Sequence, residues 1–147
     1  VYWLDQRGFI HPHLDAIKLE EFTTSTGSGL GTTMSGLGWV KEADLVFDIT
    51  AAGGGTSTAD RTLDLFIDAV FDGGTATINV GRLAGTGSAA RRVVHLTKRQ
   101  SSAVVAVDAD AGAGTFRAFG WSALRIRRDI TGTSPSFSMT VWAHCQS

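Results

Sequence analysis

The sequence predicts an all-β, antiparallel fold, either a sandwich or a barrel. After Trp39, apolar and polar residues alternate with a period of two almost throughout. The alternating runs are short and are separated by Gly-rich turns at near-regular spacing. The 147 residues include 18 Gly and are 43% apolar but only 18% charged, which suits one core and many turns.

Residues 1–12 mix aromatic and polar side chains without a clean period. Leu14–Phe22 fits a helical turn through Leu14, Ile17 and Glu21, or a strand in which Ile17, Leu19 and Glu21 alternate. The tract Thr23–Gly38 is rich in Gly, Ser and Thr and offers too little apolar surface to order itself, so a flexible loop or linker is expected. The expected division is an arm and linker over 1–38 and a β domain over 39–147.

In the first strand of that domain Ala43, Leu45, Phe47 and Ile49 share a face opposite Glu42, Asp44 and Asp48. In the next, Leu63, Leu65, Ile67, Ala69 and Phe71 lie opposite Asp64, Phe66, Asp68 and Val70. Asp72-Gly73-Gly74 then reverses the chain into Thr75–Leu83. Further strands are expected at Arg92–Thr97, Ala103–Asp108, Phe116–Trp121, Ala123–Ile130 and Ser136–Ala143. In the last pair, Leu124, Ile126, Arg128 and Ile130 alternate with Arg125, Arg127 and Asp129. Phe137, Met139, Val141 and Ala143 alternate with Ser138, Thr140 and Trp142. Thr131–Pro135 joins them as a turn, with Gly132 free to take positive φ and Pro135 confined to a strand start. Val46 and Trp142 break otherwise polar faces, as interface residues do.

The net charge of −1 provides no field of one sign to draw nucleic acid or an anionic membrane. The basic groups Arg91-Arg92, Lys98-Arg99 and Arg125-Arg127-Arg128 are expected on solvated strand faces. No apolar run reaches the ~18 residues of a membrane-spanning helix. Val1–Arg7 lacks the basic start and apolar stretch of a secretory signal, so a cytoplasmic product, released by lysis if at all, is expected. With Cys145 as the one cysteine, neither an intrachain disulfide nor a cysteine-built zinc site is possible.

Catalytic patterns are thin. His11-Pro12-His13 could present two imidazoles, but a metal site needs further ligands, and solvated histidines are the simpler reading. Asp108-Ala-Asp110-Ala-Gly112 starts like a calcium loop, yet lacks its third acid and late glutamate, and reads as an acidic hairpin loop. Asp60, Asp64, Asp68 and Asp72 do not make a carboxylate pair from one strand. Cys145 and His144, adjacent on a strand, point to opposite faces and cannot form a dyad. No catalytic residue, metal or cofactor is expected.

The order Leu63-Asp-Leu-Phe-Ile-Asp-Ala-Val-Phe-Asp-Gly-Gly-Thr75, followed by Arg125-Ile-Arg-Arg-Asp-Ile-Thr-Gly-Thr-Ser-Pro-Ser-Phe-Ser-Met-Thr-Val141, resembles small virion proteins of tailed bacteriophages. Those proteins share an LDV-like strand, a D-G-G turn and a closing ITGTSPSF hairpin. The likeness spans roughly residues 61 to 143 and is strongest over Ile130–Phe137. It implies an antiparallel β-sandwich of jelly-roll type with an extended amino-terminal arm, and transfers no catalytic residue. It further implies a capsid decoration (cement) protein on the virion surface, assembled in the host cytoplasm. Its expected partners are the major capsid protein and copies of itself, in a trimer or another symmetric assembly, with no nucleic acid, membrane or small-molecule substrate. Tyr2, Trp3, Leu4, Phe9 and Ile10 are the arm residues expected to make the contact. A tail or neck subunit is an alternative, as is a carbohydrate-binding host-attachment domain that stacks sugars on Trp121, Trp142 and Tyr2.

Overall fold

A computed structural model of the chain describes residues 2–4, 10–12, 17–99, 110–118 and 120–147. Tyr2–Leu4 (β1) and Ile10–Pro12 (β2) pair antiparallel in a small sheet of their own, with Trp3 opposite His11. The remaining strands are Ile17–Ser25 (β3), Gly29–Leu30 (β4), Glu42–Gly53 (β5), Arg61–Phe71 (β6), Ala76–Thr86 (β7), Ala90–Thr97 (β8), Leu124–Gly132 (β9) and Ser136–Gln146 (β10). They form two four-stranded antiparallel sheets, ordered β3-β10-β5-β8 and β4-β9-β6-β7. Only β6 and β7 follow one another within a sheet; every other step from β3 to β10 crosses between sheets. This is the jelly-roll order, and the expected sandwich is what the chain forms.

The core is the meeting of the two alternating inner faces. Leu45, Phe47, Phe137 and Val141 of one sheet pack against Leu63, Leu65, Ile67, Leu124 and Ile126 of the other, all buried. Burying each of these side chains is worth about 1.5–3 kcal/mol. The loop residues Leu37, Val40 and Trp121 complete the same cluster.

Several expectations change. Of the two readings of Leu14–Phe22, the strand holds over the described residues from Ile17, where β3 pairs with β10 and buries Leu19; residues 14–16 lie outside the described residues. The tract 23–38 is not a free linker. Gly29–Leu30 pairs with β9, Gly31 N–H donates to the Ile126 carbonyl at 2.8 Å, and Met34 bridges Leu124. Small residues suit this path: a Cβ at Gly31 would overlap the Glu20 carboxylate. Of the described residues, the sandwich therefore begins at Ile17, not at Trp39. The described residues of Phe116–Trp121 form no strand; Phe116 makes a single bridge to Gly81 and Trp121 is core. Ala103–Asp108 lies outside the described residues.

The turns follow their chemistry. Gly73 and Gly74 have φ of 64° and 93° in the β6–β7 reversal. Gly132 has φ 124°, and a Cβ there would overlap the Asp60 carbonyl oxygen, so glycine is required on both counts. Pro135 immediately precedes β10.

Candidate binding face

The outer faces of the two sheets differ. On the β4-β9-β6-β7 sheet the outer face is partly covered, at β6 and β7, by residues 110–117, while Leu30 of β4 stays 59% exposed. Of the connection from β8 to β9, the described residues 112–117 run beside β7. There Gly114 N–H donates to the Arg82 carbonyl at 2.9 Å, Arg82 N–H to Thr115 at 3.2 Å and Arg117 N–H to Val80 at 2.7 Å. The connection is pinned by a polar network. Arg127 Nε donates to Asp68 Oδ2 at 2.9 Å and its Nη2 to Asp110 Oδ1 at 2.6 Å. Asn79 Nδ2 donates to Asp68 Oδ1 at 2.8 Å, and Asn79 Oδ1 accepts from Ala111 N–H at 2.8 Å. Asp68 and Asn79 are buried, and these contacts satisfy them. Burial works against the Arg127 charge, but hydrogen bonds to both carboxylates and their charges more than offset it, holding the guanidinium above its ordinary value.

This network accounts for several sequence features. Phe66, on the outward side of β6, is buried beneath Arg127 and Arg82, whose guanidinium carbons lie 4.1 and 5.0 Å from its ring centre. Asp110 of the calcium-like run serves Arg127; Asp108 lies outside the described residues. The basic cluster is not a solvated face: Arg127 holds the connection, and Arg128 donates to Ser25 Oγ at 3.0 Å and covers the Phe22 ring at 4.9 Å.

The outer face of the β3-β10-β5-β8 sheet is, among the described residues, not covered by another strand or loop. Register sets Lys18, Trp142, Val46 and Val93 in one row across the four strands. Trp142 and Val46 are half-buried, Lys18 Nζ sits 5.6 Å from the indole centre, and Val93 is 64% exposed. On one side lies the row His144, Asp44, His95, in which His95 Nδ1 is 2.7 Å from Asp44 Oδ1 and Nε2 is 3.8 Å from Glu42 Oε2. On the other side lie Thr140, Asp48 and Arg91, the guanidinium of Arg91 contacting Asp48 at 3.1 Å. An apolar row rimmed by polar and charged pairs has the composition of a protein-contact surface.

Sequence alternation singled out Val46 and Trp142, and the sheet makes them direct neighbours. Val93 was missed because β8 alternates Arg91, Val93 and His95, in which one valine looks like ordinary strand composition. Trp121 is buried at 3% exposure beneath Lys98 Nζ, 4.3 Å from its ring centre, and offers no face to a sugar. Of the expected arm residues, Tyr2, Trp3 and Leu4 lie in β1 and Ile10 in β2; Phe9 lies outside the described residues. His11 is in β2 and His13 lies outside the described residues, while His95 and His144 flank Asp44 on the β3-β10-β5-β8 sheet. Among the described residues no three His, Cys, Asp or Glu side chains are grouped to hold a metal. Cys145 is half-buried, and burial pushes its thiol up, the Lys98 charge offsetting only part of this. A surface depression of about 570 Å³ between the β6–β7 turn and residues 33–36 has no ionisable side chain among its described lining residues. No described helix is long and apolar enough to cross a membrane.

Comparison with models of known families, with curated proteins and with solved structures finds no match to this chain.

Proposed function

We propose that the chain is a structural protein of a tailed-phage particle, a capsid decoration protein that attaches to the shell by protein–protein contacts. The observation that carries this reading is the asymmetry of the sandwich. One outer face is partly covered by residues 110–117 of the chain, while the other presents the row Trp142, Val46 and Val93 within a polar rim. The closing hairpin that resembles phage virion proteins, Ile130–Phe137, joins β9 to β10 and so supports the strand that carries Trp142. The mechanism is physical: apolar burial at ~25 cal/mol per Å² on each copy, with modest affinity multiplied over the repeated sites of a symmetric shell.

The arm contributes through Tyr2, Trp3, Leu4, Phe9 and Ile10, which dock on a neighbouring subunit. Because β3 belongs to the sandwich, the segment to delete is residues 1–16. Cosedimentation of the purified chain with shells lacking it tests the reading. The full chain should saturate a number of sites comparable to the number of shell subunits, while Trp142→Ala and deletion of 1–16 should each weaken binding. A chain that stays in the supernatant with shells of its own source virus would refute it.

A further inference from the structure

We propose that the depression between the β6–β7 turn and residues 33–36 is a saccharide site, shaped for one neutral pyranose ring at the end of a glycan. Its volume of about 570 Å³ lies within the range of roughly 300–1,000 Å³ that ligand pockets occupy. The main chain holds its walls in place. Met34 N–H donates to the Leu124 carbonyl and Leu37 N–H to that of Ser122, both at 2.9 Å, so residues 33–36 are fixed at each end. Across the floor Val70 N–H donates to the Ala123 carbonyl at 3.0 Å, and both side chains are buried. On the two rims Gly36, Gly73 and Gly74 have positive φ, and a Cβ on any of them would meet nothing within 4 Å. Glycine at a rim lets a ligand come close to main-chain groups.

The lining chemistry selects the ligand. Thr33, Ser35 and Ser122 bring three exposed hydroxyls, and no side-chain hydrogen bond to a described residue engages them. Each hydroxyl donates one bond and accepts two. Phe71, at the end of β6, is 46% exposed and supplies the one aromatic ring among the described lining residues. A charged ligand would find no counter-charge among those residues. A wholly apolar ligand would strip water from the hydroxyls without replacing its bonds. A pyranose meets both conditions: its C–H face lies on an aromatic ring, and its hydroxyls exchange bonds with Ser and Thr. The site differs from sugar stacking on Trp121, Trp142 or Tyr2, none of which is a described lining residue. It also goes beyond the decoration role, since it lies on the other sheet from Trp142 and needs no shell.

A proton–nitrogen NMR titration of the purified chain tests it. The probes are the methyl pyranosides of glucose, galactose, mannose and N-acetylglucosamine, with methyl glucuronide as the charged comparator. At least one neutral glycoside should shift the amide signals of Gly36, Gly73 and Gly74 and saturate with a dissociation constant of ~1 mM. Ser35→Tyr, which fills the depression from an exposed position, should weaken that binding at least ~10-fold. Phe71→Ala should do the same, while Phe71→Tyr, which keeps the ring, should stay within a few-fold of wild type. Ser57→Tyr, beyond the opposite end of β6, should leave binding unchanged. A far-UV circular dichroism spectrum unchanged from wild type confirms that each variant is folded. No shift with any neutral glycoside, shifts that survive Ser35→Tyr, or tighter binding of the glucuronide than of every neutral glycoside would overturn the proposal.

Discussion

Arg127 on β9 and Asp68 on β6 form an ion pair, Nε to Oδ2 at 2.9 Å, whose acid side chain is only 3% exposed. The pair sits on the face of β6 that alternation assigns to water. Asp110 and Ala111, more than forty residues from Asp68 along the chain, lie against the same network. Removing one partner of a buried pair leaves the other charged, which costs more than the pair itself contributes. Asp68→Ala should therefore destabilise the fold by about 2–4 kcal/mol, lowering the urea midpoint. Asp110→Ala, at a more exposed acid, should cost about 1 kcal/mol or less.

Gly132 and Gly27 give a paired prediction. Gly132 combines φ 124° with a site where a Cβ meets the Asp60 carbonyl, so Gly132→Ala should cost about 1–3 kcal/mol. Gly27 has open space around it and no positive φ, so Gly27→Ala should be close to neutral. Thermal unfolding of the two variants side by side checks the contrast.

Lys98 ties the end of β8 to the core. Its ammonium donates to the Leu37 carbonyl at 2.8 Å and lies over the Trp121 ring. Lys98→Ala should cost about 1–2 kcal/mol and shift the Trp121 fluorescence, with the other tryptophans as the unshifted background.

The Cys145 thiol is held above its ordinary value of 9.0, chiefly by burial. The folded chain thus keeps the proton where the unfolded chain loses it. The stability this represents is fully present below the unfolded value and is lost as pH rises through the higher folded one. Burial moves Lys98 the opposite way in sign, lowering its value, so its contribution grows as pH climbs toward 10.5. Cys145→Ala should remove the falling component of the alkaline stability profile. Alkylation of Cys145 near neutral pH should be slower in the folded chain than in urea.

The inner faces of β5, β6, β9 and β10 were legible because period-two alternation reports which side meets the core. Leu45, Phe47, Ile67, Phe137 and Val141 are all where it placed them. Alternation does not report what the other side meets. Asp68 and Phe66 looked outward and are buried, Asp68 among Arg127 and Asn79 and Phe66 beneath Arg127 and Arg82, neighbours from other strands that alternation along β6 does not report. The β4 pairing was invisible for a related reason: Gly29–Leu30 is too short to show a period, and its neighbours order through bonds to β9 rather than by burying side chains. Two of the three apolar residues of the candidate face, Val46 and Trp142, stood out as apolar residues on polar faces. Val93 joined them only once the β5–β8 register was known.

The most direct test of the decoration role is quantitative peptide mass spectrometry on purified particles of the source virus, read as copies of this chain per major capsid subunit. The account predicts a ratio near one, or one per small group of capsid subunits. A ratio matching a single ring at the neck would place the chain in the tail assembly, and absence from the particles would contradict a virion role altogether.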